Sequence, residues 1–245
     1  MINLRALATD PTQYDNVGTD WLEEGGKDTP WRLFFKEILI SSLADLKGQS
    51  VLDIGCGTGW MSEFVTSLGA KDYLGIEPSK TNFETAKSTH QNTRFINLPF
   101  EKFDTNQTFD LITCLMASEH LNNLEAAFVK WHRLLGPRGR LIIIAGDFVA
   151  FTMQKFDYQV EVENISNNEI VVHTKRPNSV DTVDIIRAPE TFLSAAKAAG
   201  FTERTVTPLP ASENLIKQVP KYKIFRHKPI FQLLVFGKSE NRGEL

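Results

Sequence analysis

The chemistry-bearing residues cluster in Val51-Leu52-Asp53-Ile54-Gly55-Cys56-Gly57-Thr58-Gly59, an apolar run that passes into a glycine-rich turn. Glycine lets the chain bend tightly and bring bare backbone against a ligand. A helix that starts there offers unpaired N–H groups to a negative group. Glu77 follows 18 residues after Gly59, at the end of the next apolar run. In an alternating α/β arrangement that spacing puts a carboxylate at the same sheet edge, where a ribose diol can donate to it. An adenosyl ligand satisfies both features. A dinucleotide fingerprint would need a third glycine at position 60, which is Trp60, so a pyrophosphate site is disfavoured.

The elements needed to position these residues can be read around them. Strands are expected at 50–54, 72–77, 93–97, 109–116 and 140–146, with helices at about 59–68, 79–90 and 122–135 between them. That alternation implies crossover connections and a parallel sheet. A further helix is expected from Pro30-Trp31 to Lys47-Gly48, on the three- and four-residue recurrence of Leu33, Phe34, Ile38, Leu39 and Leu43. After Gly146 the β-prone runs 156–163, 169–175 and 180–187 suggest an antiparallel insertion. Pro189 then opens a helix that stops at Gly200, and 201–207 and 230–236 supply two last strands. The expected fold is α/β, a doubly wound, mostly parallel Rossmann-like sheet with an antiparallel β insertion after the fifth strand. Its parts are 1–48 (N-terminal lid and helix), 49–147 (cofactor-binding core), 148–188 (insertion covering the substrate) and 189–245 (C-terminal completion of the core). The polar tail from Gly237 to Leu245 is expected to be disordered.

Several motifs in order resemble the class I S-adenosylmethionine-dependent methyltransferases, small-molecule type. VLDIGCGTG and the downstream GIEPS (Gly75 to Ser79) look like that family's first two motifs. Thr108-Phe109-Asp110-Leu111-Ile112 resembles its fourth strand, and Ser118-Glu119-His120-Leu121 the EHL that often follows. Leu134-Leu135-Gly136-Pro137-Arg138-Gly139-Arg140-Leu141-Ile142 resembles its LKPGG-strand segment, and Ala199-Gly200-Phe201 a later helix-to-strand junction. The resemblance implies S-adenosyl-L-methionine as cofactor. Asp53 would orient the loop and the methionine ammonium, while Gly55, Cys56, Gly57 and Gly59 line the methionine moiety. Glu77 would take the ribose, Pro78 flank the adenine, Leu98-Pro99 lie along the base, and Leu115-Met116 form the floor beneath the sulfonium. Relatives commonly carry an acidic residue near the adenine where this chain has Asn97, so either the Asn97 amide or Glu101 serves there.

Methyl transfer from a sulfonium needs alignment and desolvation more than acid–base help. Where the acceptor must lose a proton, His120 with its neighbour Glu119 is the candidate base; the competing account is that His120 caps a helix or packs. Cys56 is expected to matter for its shape, not for thiol chemistry. Phe148, Phe151, Phe156 and Tyr158 either cover the acceptor or fasten the insertion to the core. Tyr14 and Trp21 either close over the cofactor or pack against a helix.

The bulk properties bound the rest. The 245 residues, 42% of them hydrophobic, can bury one full core. A net charge of −3 with scattered basic residues disfavours nucleic acid. The two cysteines show no ligand spacing, so neither a disulfide nor a metal site is expected. With no leader or apolar span, a cytoplasmic protein that does not engage membranes is expected. The reading is therefore methyl transfer to N, O or C of a small-molecule acceptor. Alternatives are a protein or RNA methyltransferase, a nicotinamide-dependent oxidoreductase, or a cofactor-binding protein without catalysis. Nothing in the residues specifies the acceptor or an oligomeric state.

Overall fold

The computed structural model describes residues 3–15, 29–43, 45–154, 156–176 and 181–238. Trp21 and the tail beyond 238 lie outside these. Ten strands and eight α-helices are described: α1 (Leu4–Ala8), α2 (Pro30–Ser42), β1 (Ser50–Ile54), α3 (Trp60–Ser67), β2 (Asp72–Ile76), α4 (Lys80–Thr89), β3 (Arg94–Ile96), β4 (Phe109–Leu115), α5 (Leu124–Leu134), β5 (Leu135–Gly146), α6 (Phe148–Thr152), β6 (Gln159–Ser166), β7 (Glu169–Lys175), β8 (Thr182–Arg187), α7 (Pro189–Ala198), β9 (Glu203–Pro210), α8 (Glu213–Gln218) and β10 (Pro229–Gly237).

Seven strands form one sheet in the order β3-β2-β1-β4-β5-β10-β9. The first five are parallel, whereas β10 is antiparallel to both β5 and β9. Side chains alternate across each strand, and both faces are apolar. One face carries Leu52, Ile54, Ile112 and Ile143 beneath Phe128 and Trp131 of α5 and Phe192 of α7. The other carries Val51, Leu111, Ile142 and Ile144 beneath Phe34 and Leu39 of α2, Met61 and Val65 of α3, and Leu215 of α8. This is the doubly wound sheet expected from the alternation. Because β1 pairs with β2 on one side and β4 on the other, strand order reverses between β1 and β4, and a crevice opens at their carboxyl ends.

The insertion is a separate three-stranded antiparallel sheet, β6-β7-β8. α1 packs on it, with Ala8 buried among Val171, Val183 and Ile185. Four features depart from the sequence reading. α2 stops at Ser42, short of the expected Lys47-Gly48. Asp147 caps the unexpected α6, its carboxylate accepting from the Val149 and Ala150 N–H groups. α8 and a 3₁₀ helix at Pro220–Phe225 occupy the connection before β10. β5 starts at Leu135, not 140, with an irregularity where it first meets β4. Short elements of five or six residues span too few turns for periodicity to register. No helix among the described residues is long and apolar enough to cross a membrane.

Candidate active site

At the end of β1 the chain turns on Gly55, Gly57 and Gly59, with φ of +68°, +55° and +82°. The turn folds onto β2, the Gly55 and Cys56 N–H groups both donating to the Ile76 carbonyl, at 2.8 and 3.1 Å. Side chains are disfavoured at all three positions: a Cβ on Gly59 would stand 2.7 Å from the Phe95 ring, and the other two differ in their reasons. A Cβ on Gly55 would stand 2.3 Å from Ala117 Cβ, across the reversal point. Gly57 has no atom within 4 Å of its notional Cβ, so bare left-handed backbone faces open space. α3 then starts without a side-chain cap, which leaves the Trp60 and Met61 N–H groups for a ligand, the Ser62 N–H being taken by the Gly59 carbonyl at 3.0 Å.

Glu77 follows β2 directly and is 5% exposed. Its Oε2 accepts from the Gly57 N–H at 2.8 Å and its Oε1 from the Ser79 N–H at 2.9 Å. Burial raises its pKa, partly opposed by those two donors. Each oxygen has a further lone pair, so a diol held over the turn can still donate to it. The structure thus brings the carboxylate and the glycine turn into contact. Asn97 ties the end of β3 to the same corner, its amide nitrogen donating to the Glu77 and Pro78 carbonyls at 2.8 and 3.0 Å. Both amide protons face backbone acceptors, and Oδ1 is left to accept. Leu98 is exposed, Pro78 and Pro99 are half-buried, and Glu101 is exposed.

Asp53 lies inside the sheet. Its carboxylate accepts from Thr113 of β4 and Tyr73 of β2, both at 2.7 Å, and it is 2% exposed. Burial raises its pKa to about 6, against the pull of the two hydroxyls. Asp53 therefore clamps the three central strands below the turn. Cys56 is buried, and burial pushes its thiol well above the usual value, which leaves it poorly nucleophilic. A Cβ on Gly75 would come within 2.7 Å of its sulfur. Leu115 and Met116 are half-buried at the end of β4. Met116 has φ +53° and donates its N–H to the Ile144 carbonyl at 2.8 Å, a strained backbone of the kind that gathers at functional sites.

Glu119 and His120 face different ways. Glu119 is 2% exposed, accepting from the Gly146 N–H at 2.8 Å and the Ser118 hydroxyl at 3.0 Å, so it braces the β4 loop against the end of β5. His120 Nδ1 lies 3.0 Å from the Ala8 carbonyl and Nε2 2.9 Å from the Tyr14 hydroxyl. The Gln13 amide nitrogen stands 3.3 Å from the same Nδ1; a proton on Nδ1 answers the nearer Ala8 carbonyl and leaves Nε2 to accept from Tyr14, whereas a proton on Nε2 lets Nδ1 accept from Gln13. Asp184 Oδ1 of β8 stands 3.7 Å from Nε2. Tyr14 accordingly meets His120. The next residue, Asp15, anchors the segment to the Glu77 corner by accepting from the Ser79 hydroxyl at 2.7 Å.

The four aromatic residues after β5 divide. Phe148 packs on the small sheet with Ile170 and Ile186, while Phe151 touches both this group and the main core. Phe156 and Tyr158 stack edge-on, and Phe156 meets Tyr222 at 5.1 Å. Sequence patterns did not mark Gln13, Asp15, Arg32 or Asp184, all polar and outside any motif. Arg32 in the first turn of α2 donates to Thr58 Oγ1 of the glycine turn at 2.7 Å.

Residues 52–143 match the model of the methyltransferase domain family. Among curated proteins, the ubiquinone biosynthesis O-methyltransferase of Rhodopseudomonas palustris (strain TIE-1) is 34% identical over 106 residues, 42% of each chain. The match thus spans less than half the length of that relative. Among solved structures, an S-adenosylmethionine-dependent methyltransferase from Mesorhizobium loti aligns with TM-score 0.64 and 17% identity, covering 82% of this chain and 97% of the other. SAM-bound CalS10 from Micromonospora echinaspora, an amino pentose methyltransferase involved in calicheamicin biosynthesis, aligns with TM-score 0.59 and 17% identity over 90% and 96%. These structures share the fold.

Proposed function

We propose, from the match of residues 52–143 to the methyltransferase domain family, that the chain transfers a methyl group from S-adenosyl-L-methionine to a small-molecule acceptor. The observation that carries this reading is the 2.8 Å contact between Glu77 and the Gly57 N–H, beside backbone that faces open space. A carboxylate for the ribose and a side-chain-free turn for the methionine end stand next to each other, as one sulfonium nucleoside requires. When bound, the cofactor supplies a methyl group already activated by its sulfonium charge.

In this reading Gly55, Cys56, Gly57 and Gly59 flank the methionine moiety and Glu77 holds the ribose. Pro78, Leu98 and Pro99 border the adenine, with Asn97 Oδ1 accepting from its amine. Leu115 and Met116 underlie the reacting centre. Asp53 acts at one remove, by holding the strands that carry the turn. His120 receives the acceptor's proton at Nε2 once the Tyr14 hydroxyl withdraws, while the Ala8 carbonyl keeps the Nδ1 proton in place. Glu119 fixes the loop that aims His120. The insertion and the Tyr14 segment form the cover.

A small acceptor is supported by the near-neutral charge and by the names of relatives that act in ubiquinone biosynthesis or on an amino pentose. Both cysteines are free and buried, in keeping with a reducing compartment such as the cytoplasm. Calorimetric titration with adenosylmethionine and with NADH tests the cofactor. Micromolar binding of the first and none of the second is expected, and the converse would overturn the reading.

A further inference from the structure

One side-chain cluster is not needed for cofactor binding. Lys221, on the 3₁₀ helix before β10, places its ammonium 4.9 Å from the ring of Phe156, 5.2 Å from Tyr158 and 5.9 Å from Tyr222. It donates to the Tyr158 hydroxyl at 3.1 Å, and among the described residues it forms no ion pair. The Arg176 guanidinium stands 5.4 Å from the same Tyr158 ring. Phe156, not a glycine, has φ +59°, and strain of this kind concentrates at ligand clamps.

The cluster is linked to the glycine turn through the start of α2. Tyr222 meets Trp31 edge-on at 4.7 Å, and the residue after Trp31 is the Arg32 that binds Thr58 of the glycine turn. Leu115, Met116, Phe156 and Tyr222 pack against one apolar core. The start of α2 therefore joins the cofactor turn to the aromatic wall.

We infer that Trp31, Phe156, Tyr158 and Tyr222 form the acceptor subsite, and that Lys221 at its rim selects an aromatic acceptor carrying an anionic substituent such as a carboxylate. The inference rests on the methyl-transfer reading above. The rings offer flat apolar surface to an aromatic body, and an ammonium without a carboxylate partner offers charge-assisted hydrogen bonds to an anion. Rings around an ammonium also suit a cationic ligand, but here such a ligand meets Lys221 and Arg176 at the same rim, and like charge disfavours it.

The test uses the full chain saturated with S-adenosylhomocysteine and three phenols that differ in charge: 4-hydroxybenzoate, 4-hydroxybenzyl alcohol and tyramine. Affinities are read by tryptophan fluorescence and by saturation-transfer NMR. The carboxylate should bind about tenfold more tightly than the alcohol, an advantage lost in Lys221→Gln and reversed in favour of tyramine in Lys221→Glu. Equal binding of carboxylate and alcohol, tightest binding of tyramine to the unaltered protein, survival of the preference in Lys221→Gln, or binding of none of the three would each overturn the inference. A separate titration with S-adenosylhomocysteine alone keeps the two readings apart. Normal cofactor binding with indifferent phenols sinks only the acceptor subsite, whereas absent cofactor binding sinks the methyl-transfer reading itself.

Discussion

Glu77 and Asp53 are both buried carboxylates, yet they do different work. Glu77 accepts from main-chain donors at the crevice, so Glu77→Ala removes a charged acceptor from the proposed ribose site. Adenosylmethionine affinity should fall by about 1.5–3 kcal/mol, measured by calorimetry; unchanged affinity would remove the carboxylate from the site. Asp53 is held between Tyr73 and Thr113, and its pKa rises from 3.8 to about 6 on burial. A raised carboxylate pKa means that the folded state binds the proton more tightly than the unfolded chain. Its contribution is therefore fully present below the unfolded pKa and lost as pH rises through the folded one. Unfolding free energy should decline across this window because of Asp53, by on the order of 3 kcal/mol. Asp53→Asn should flatten that part of the pH profile, and an unaltered slope in denaturant titrations would contradict the account. His120→Ala should lower the turnover number by about 10²-fold with cofactor affinity kept, since His120 contacts Tyr14 and Ala8 and not the glycine turn.

Among the elements, the insertion and the core are joined through Arg187 at the end of β8. It is 2% exposed, pairs with Glu169 at 2.7 Å, and donates to the Ser118 and Leu121 carbonyls at 2.8 and 2.7 Å. These carbonyls flank the loop carrying Glu119 and His120. Replacing Arg187 with Leu leaves Glu169 paired with Arg5 alone, at 2.5 Å, and strands the Ser118 and Leu121 carbonyl oxygens, and should cost about 2–4 kcal/mol. Chemical denaturation reads this loss, and a change below about 1 kcal/mol would mean that water takes over the partners. The long elements were legible beforehand. β1, β2, β4, α5 and α7 carry enough apolar repeats, or sharp enough stops such as Gly200, to be placed within a few residues. α6 and α8 were not, because each is set by a single cap, Asp147 or Ser212, and by the surface it lands on. The antiparallel direction of β10 was equally unreadable, since a fully buried strand looks the same from either end.

For the whole molecule, the ligand is expected to bind across parts that are distant in sequence: the turn at 55–59, Glu77, the His120 loop and the segment holding Tyr14 and Asp15. Binding should therefore stabilise the entire domain. At 100 times its dissociation constant, adenosylmethionine should add about 2.7 kcal/mol, raising the melting temperature by roughly 5–10 °C for a domain of this size. NADH at the same concentration should leave it unchanged; an equal shift with both would speak against a site selective for the sulfonium nucleoside.

The residues alone determined the alternating α/β core, the glycine turn and the carboxylate that follows it, because these depend on short-range periodicity and on the backbone freedom of glycine. Only the tertiary structure decided which polar side chains meet. That Glu119 braces Gly146, that Asp53 closes on Tyr73 and Thr113, and that Tyr14 reaches His120 all depend on chain segments brought together from 20 to 106 residues apart. Hydrogen bonds between such segments leave no periodic trace, for their geometry exists only after the hydrophobic faces of the sheet have been buried.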